Sequence, residues 1–496
     1  MNGVIYDTAV IASIRNNMGY SYFPEQVRKV LSHQYDDGSW GSKFYHPFDR
    51  LLSTASALYM MSELNLDKGS YDTLFEKGIN WISENNHLIY NSQFPLPAGF
   101  EFLYTKFIGS VMEKISGSNI SISKLEQSRH KKLELLGGYL FSVYNPLFHS
   151  MEGIVENYNE AESLMTYLSK NGSLAASPAS SSIFLRHKVK KVLPNVMRYL
   201  RQEALQDDYL FSNFGDYTYF NIAYSLYPLI KAGYKMHSAV RRPIELLNKY
   251  WSEQGISFGY SFPIVDADDT AIALLVMDYL GIKGTKEKLH SLKFFEGKEY
   301  YKTYFVENDP ALLTNMHVLE ALLQMPDPQF DEGREKVIRF IKNLGNDVSS
   351  NSKYAGSPLI QLAALILSSF PHLPEFGEKY VKNLERIITD KLYNRESLTT
   401  EEISHALLAL LYARDHDQLV DDTLIHKLYV VVLSRVDSMG NYERNFLWTS
   451  KIQYSPYEVD MSYTLASIYL YQKTFNGIKA MKPAYSKVSI AESLFS

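Results

Sequence analysis

The chain contains no cysteine. Disulfides, thiolate metal centres and cysteine nucleophiles are therefore excluded. Neither sign of charge dominates: 50 Lys and Arg stand against 55 Asp and Glu, a formal net charge of −5. That leaves no basic footprint for nucleic acid or an anionic membrane. No apolar run is long enough to span a bilayer. The longest uncharged stretch, Ala355 to Pro374, is interrupted by Pro358, Pro371 and Pro374. Only Leu359 to Leu367 within it is solidly apolar, and it reads as a buried core helix. The N-terminus, MNGVIYDTAVIASI, lacks a basic n-region and Asp7 breaks its apolar run, so no signal peptide is expected. The expectation is a soluble, cytoplasmic protein. Low-complexity segments and strand-like alternation are scarce.

Aromatic residues, by contrast, reach 14%, with 38 Tyr and 26 Phe against four Trp. Bulky rings pack cores well. They also line cavities that tolerate apolar or cationic guests. The 496 residues predict about two to four domains. Helical periodicity dominates, as in LLSTASALYMMSELNL, TAIALLVMDYLGI, NMHVLEALLQM and EEISHALLALLYA. The class is all-α, built from helix pairs. Aromatic–glycine turns punctuate them at QYDDGSWG (Gln34 to Gly41) and EQGISFG (Glu253 to Gly259). Such pairs fit an α-toroid or an α-solenoid.

The sharpest local feature is VDADDTA, with Asp266, Asp268, Asp269 and Thr270 ahead of an apolar helix. One reading is a capped helix start, because Asp and Thr cap well and the helix dipole favours carboxylates. Three carboxylates in four positions exceed what capping requires, however. Crowded like charges raise at least one pKa, which gives a candidate general acid. A second reading is the DxDxT nucleophile of haloacid dehalogenase-like phosphatases. That chemistry needs a preceding parallel strand and a later acidic pair. Pro263 spoils the strand, and GDYTYF at Gly215 lacks the second Asp. The third reading is the DxDD motif of class II terpene cyclases.

The flanks favour the third. The segment YWSEQGISFGYSFPIVDADDTAIALLVMDYLG (Tyr250 to Gly281) resembles the corresponding stretch of copalyl diphosphate synthases. YDTAVIAS at Tyr6 resembles YDTAWVA, QYDDGSWG matches QxxDGSWG, and PLPAGFEF at Pro95 resembles P-x-GFE. LFHSMEG at Leu147 resembles LLHSLEG, and NGSLAASPASS at Asn171 resembles DGSFxxSPSST. SKIQYSPYE at Ser450 is a degraded DKWHASPYY. These ordered blocks run along almost the whole chain. The sequence resembles the bacterial-type class II diterpene cyclases.

That resemblance implies two αα-barrel domains, β (1–19 and 235–496) and γ (20–234, inserted after the first helix), with the active site between them. It implies protonation of the terminal alkene of an isoprenoid diphosphate by the middle Asp of the box, Asp268, with Asp266 and Asp269 orienting it. Aromatic faces would then stabilise the carbocation. A His–Asn pair that holds the deprotonating water in resembling plant enzymes maps to His149 and Asn213. An ordinary helix-end histidine is the alternative for His149. The matched blocks also mark Trp251, Tyr457 and Lys451 as substrate contacts. Lys451 would touch the diphosphate, unless it is a solvated surface lysine.

Class I ionisation requires DDxxD and an NSE/DTE triad. DDTLI at Asp421 and DDYLF at Asp207 lack the last Asp, and NDVSSNSKY at Asn346 has Tyr354 where Glu is needed. The length leaves no room for a third domain, so the diphosphate is expected to be kept and passed to a class I terpene synthase or phosphatase. Mg²⁺ is expected from the resemblance. Yet the acidic patch that helps to bind it is replaced by Tyr90, Asn91 and Ser92, leaving Glu84 as the nearest carboxylate. Other substrates are farnesyl diphosphate or a meroterpenoid precursor. A squalene–hopene type is disfavoured, since QYDDGSWG is the one complete QxxxGxW turn. A non-catalytic helical scaffold would not need the intact acidic box.

Overall fold

The computed structural model describes residues 3–475, apart from 65, 67–68, 70, 93, 95, 116–119, 206, 237–239, 308–309, 345–356 and 438–441. Pro95 and the string from Asn346 to Tyr354 therefore lie outside the described residues. The chain forms two units, neither a single stretch of sequence. The first takes the described residues of Met1–Tyr217 with Ser261–Ile264 and Phe446–Ser455. The second takes Thr218–Tyr260, Val265–Asn445 and the described residues from Pro456 onward.

In the second unit six helices pack side by side into a closed ring. They are α4 (Thr218–Lys231), α5 (Ala267–Tyr279), α6 (Leu312–Gln324), α7 (Pro358–Ser369), α8 (Thr400–Asp415) and α9 (Tyr457–Phe475), with α9 returning to α4. Outer helices alternate with them along the chain. Composition explains which is which. In α5 every residue from Ala267 to Met277 is buried, and in α8 every residue from Thr400 to Ala413. A helix apolar all round must be enclosed. The helix Asp331–Leu344 instead buries Gly333, Val337 and Ile341, one narrow stripe at intervals of four. The core helix expected at Leu359 to Leu367 is α7, buried from Leu359 to Ser369.

The first unit closes a smaller ring. It runs α1 (Ile5–Ala12), α2 (Pro47–Glu63), α3 (Phe100–Met112), a 3₁₀ turn at Phe148–Gly153 and a short helix at Pro178–Ser181, which packs back on α1. The fold is thus all-α, as expected, with helices paired into rings. Its one described sheet is a hairpin, β1 (Trp448–Thr449) antiparallel to β2 (Gln453–Tyr454). The division differs from the expected 1–19, 20–234 and 235–496. Here α1 stays with the first unit because it closes that ring, and the boundary falls at Tyr217. No helix among the described residues is long and apolar enough to cross a membrane.

Candidate active site

The acidic box opens α5. Asp266 is its N-cap in extended conformation, and its carboxylate accepts the Asp269 N–H at 2.7 Å. Capping therefore explains Asp266 and leaves Asp268 and Asp269 in the first turn. All three carboxylates are buried. The preceding turn is fitted to this start. Thr270 Oγ1 accepts the Ile256 N–H at 3.2 Å. Gly255 has φ +113°, and a Cβ there would lie 2.3 Å from Thr270 Oγ1. The Glu-x-Gly turn is thus a packing requirement of the box.

Asp268 is held at both oxygens. Tyr224 of α4 donates to Oδ2 at 2.8 Å, and His317 Nδ1 of α6 lies 2.5 Å from Oδ1. Sequence reasoning missed both partners. The available signal was a lone His in the apolar run NMHVLEALL. Donors on both oxygens stabilise the carboxylate that remains once a proton leaves. Tyr304 stands beside the box, and the Ala267 N–H donates to the neighbouring Thr303 carbonyl at 3.0 Å. Burial, then the charges of Asp266, Asp269, Glu307 and Asp268, push the Tyr304 phenol above its ordinary range. Rings crowd the same helix: Phe220 stacks on Tyr224 at 4.5 Å and on Phe258 at 4.8 Å.

The first unit carries a second buried polar group. Lys451, in the turn between β1 and β2, is fully buried. Its Nζ donates to Glu152 Oε1 (2.9 Å), Ser177 Oγ (3.0 Å) and the His149 carbonyl (3.2 Å), and forms an ion pair with Asp7 at 2.9 Å. Tyr6 and Ser180 donate to the two oxygens of Glu152. Four of the matched sequence blocks thus converge on one ammonium group. Burial raises the Asp7 carboxyl to about 7 despite Lys451. For Glu152 the Lys451 charge and three hydrogen bonds outweigh burial and lower it. The arrangement corrects both expectations for Lys451. It is not solvated, and its three N–H bonds are all spent inside the protein, so none is available for a diphosphate.

His149 sits above this cluster. Its Nε2 lies 3.2 Å from Ser450 Oγ, and its ring faces Phe214 at 5.7 Å and Phe262 at 6.2 Å. Tyr454 meets Phe214 at 5.8 Å. Burial, reinforced by Lys451, lowers the imidazole to about 4, so it is neutral at physiological pH. Its Nδ1 has no hydrogen-bond partner of good geometry among the described residues. The same holds for both amide atoms of Asn213, which is fully buried next to Phe214. Buried polar atoms of this kind call for a polar partner.

The remaining expected residues lie as follows. Trp251 is half-buried just before the Ser252–Gly255 bridge. Tyr457 opens α9, with the Arg444 guanidinium 4.0 Å from its ring centre. Glu84 is exposed near the end of the helix Asp72–Asn85. No group of three or more His, Asp or Glu among the described residues is placed to hold a metal ion. The residues present do not fit a protein-held Mg²⁺ at Glu84. Three of the paired aspartates have structural work: Asp421 caps the helix Asp422–Arg435, Asp422 pairs with Arg414 at 2.8 Å, and Asp208 pairs with Lys29. The phosphatase reading fails on the fold, because its first aspartate needs the end of a parallel strand and Asp266 is instead the N-cap of a helix.

No family profile matches the sequence. A copalyl diphosphate synthase of Talaromyces verruculosus is 22% identical over 521 aligned positions, covering 94% of this chain and 53% of that protein. A bifunctional levopimaradiene synthase of Pinus banksiana is 24% identical over 374 residues, covering 71% of this chain. The match spans 42% of that relative's length. Among solved structures, the ent-copalyl diphosphate synthase from Streptomyces platensis superposes with a TM-score of 0.71 at 20% identity over 95% of both chains. The abietadiene synthase from Abies grandis gives 0.67 at 17% identity, over 95% of this chain and 56% of that one. The chain has the fold of the class II diterpene cyclases and is similar in sequence to the copalyl diphosphate synthases.

Proposed function

We propose that the protein is a class II diterpene cyclase that protonates geranylgeranyl diphosphate, closes two rings and releases a copalyl-type diphosphate. The observation that carries this reading is Asp268: buried, at the start of an inner helix, with a donor on each carboxyl oxygen. An alkene is a very weak base, so its proton donor must leave a well-stabilised anion. Tyr224 and His317 serve that anion. Asp268 gives its proton to the CH carbon of the terminal alkene, whose π electrons form the new C–H bond and leave a tertiary cation at the dimethyl-bearing carbon. The cation then passes along the folded chain as each ring bond forms. Aromatic faces stabilise it by about 0.5–2 kcal/mol each without trapping it.

His149 and Asn213 would hold the water that takes the final proton. A carbocation loses protons so readily that an imidazole titrating near 4 is ample as the acceptor behind that water, and it returns the proton to solvent easily. The diphosphate is kept, since neither aspartate pair is followed by the last Asp of an ionising metal motif, and Asp421, Asp422 and Asp208 are committed to a helix cap and salt bridges. The product would pass to an enzyme that ionises or hydrolyses allylic diphosphates. Magnesium remains an expectation of the resemblance, and no step here runs through it.

The test is incubation of the purified chain with geranylgeranyl diphosphate and Mg²⁺, then dephosphorylation and identification of the skeleton. A bicyclic alcohol that disappears with Asp268→Asn is the expected result. Cyclisation of farnesyl diphosphate alone would move the substrate class. Free phosphate without cyclisation, or no change at any chain length, would overturn the reading.

A further inference from the structure

The ring of the second unit is bridged across its interior just past the acid. Tyr224 of α4 and His317 of α6 hold Asp268 at one level. Three residues further along each helix, about 4.5 Å deeper, stand Tyr227 and Glu320. The Tyr227 hydroxyl donates to Glu320 Oε2 at 2.7 Å and lies 3.4 Å from Ser368 Oγ of α7. Lys231, a further turn along α4, pairs with Glu320 Oε1 at 2.5 Å and donates to the Tyr412 hydroxyl of α8 at 3.4 Å. In the ring α4 has α5 and α9 as its neighbours, so these bonds to α6, α7 and α8 cross the interior rather than follow the wall. The Lys231 and Glu320 side chains are only 8% and 6% exposed. The Tyr227 ring meets the His317 ring edge-on, with centroids 6.0 Å apart.

We propose that this layer is the floor of the cyclisation chamber, and that the Tyr227 ring determines which alkene of the isoprenoid meets Asp268. The inference rests on the reading of Asp268 as the proton donor. A polyprenyl chain carries several alkenes of nearly equal basicity, so the strength of the acid cannot tell the last from the one before it. Position has to. A chain entering from the helix-start end of the ring can descend no further than the bridge, and its last isoprene unit comes to rest at the acid. The polar groups of the bridge bond to one another, as buried groups must. They fix the Tyr227 ring across the opening, and the Lys231 charge is met by Glu320. If the chain slid one unit deeper, Asp268 would give its proton to the CH carbon of the preceding alkene. The tertiary cation left there closes one ring instead of two, and the terminal isopropylidene survives in the product.

The experiment incubates the full chain with geranylgeranyl diphosphate in deuterium oxide, dephosphorylates the products and locates the incorporated deuterium by NMR. The label marks the carbon that Asp268 protonated. In the wild type it should lie in the terminal unit of a bicyclic alcohol. Tyr227→Ala removes a phenol slightly larger than one isoprene unit. It should give, beside less of the bicyclic alcohol, a monocyclic one with the label in the preceding unit and the isopropylidene intact. Tyr227→Phe keeps the ring and loses only the hydroxyl, so its label should stay in the terminal unit. A merely structural role for Tyr227 would lower the rate and the melting temperature of Tyr227→Ala without moving the label. A folded Tyr227→Ala that yields no internally labelled product therefore overturns the inference, and so does an internal label in Tyr227→Phe. Should Tyr227→Ala not fold, Tyr227→Leu takes its place with the same readout. Cyclisation that survives Asp268→Asn would instead bring down the reading of the acid.

Discussion

Protonating an alkene leaves a carboxylate behind, and the two donors on Asp268 act on that carboxylate. Removing the His317 contact forfeits a hydrogen bond to a charged group, worth about 1.5–3 kcal/mol. His317→Ala should therefore slow single-turnover cyclisation by about 10- to 150-fold, with the product skeleton unchanged. Tyr224→Phe removes the other donor on the same carboxylate and should cost a similar factor, about 10- to 150-fold. Equal rates for His317→Ala and wild type would remove His317 from the acid's support. Lys451 behaves differently. Lys451→Met leaves Asp7 and Glu152 buried without their cation, and such breaks cost about 3–5 kcal/mol. A marked fall in the urea midpoint is expected, and an unchanged midpoint would refute the clamp. Legibility at this scale followed locality. Asp268 was readable because its neighbours in sequence are its neighbours in space. His317 lies 49 positions away and looks like any core histidine. Lys451 was misread because nothing in SKIQYSPYE reveals carboxylates supplied from residues 7 and 152.

At the scale of elements, α5 shows how one aspartate can serve the helix while the next serves the chemistry. Asp266→Ala removes an N-cap and should destabilise the protein by about 0.5–2 kcal/mol, whereas Asp266→Asn keeps the cap and should match the wild type in stability. Thermal denaturation of the pair separates capping from charge, and identical midpoints for Ala and Asn would deny the cap its role. Gly255→Ala forces a side chain into φ +113° against Thr270. Loss of about 1–3 kcal/mol is expected from the backbone alone, read as a lower melting temperature. Periodicity made the helices legible, and the run Leu359 to Leu367 declared its burial by composition. The β1–β2 hairpin was not legible, because two-residue strands carry no period.

At the scale of the molecule, buried titrating groups set the pH dependence of stability. His46, His149 and His187 titrate near 4, and His405 near 3, mainly through burial. Unfolding lets each bind a proton below about 6.5, so stability falls as pH drops through that range. Asp7 and Glu203 titrate near 7 and Glu401 near 8, again mainly through burial. Their folded forms hold protons that the unfolded chain releases above about 4, so their contribution is lost as pH rises toward 7 to 8. Above 6.5 the three acids dominate, opposed only as pH nears 8 by the buried Lys106, which burial lowers to about 8. The melting temperature should therefore peak near pH 6.5 and decline by pH 8. A scan that is flat or rising between those values would contradict this assignment. The ring architecture was foreseeable from helix pairs. The division into units was not, because it depends on where returning segments dock rather than on any linker composition.

One such segment has a consequence for synthesis. The first unit is mostly laid down by Tyr217, yet its Lys451 arrives 451 − 217 = 234 residues later. At about 5–20 residues per second, that interval is roughly 12 to 47 s. Until then Asp7 and Glu152 have no cation to meet and must stay hydrated or protonated. The nascent first unit therefore lacks its buried cation on the ribosome while the second ring emerges, and the segment Phe446–Ser455 supplies it last.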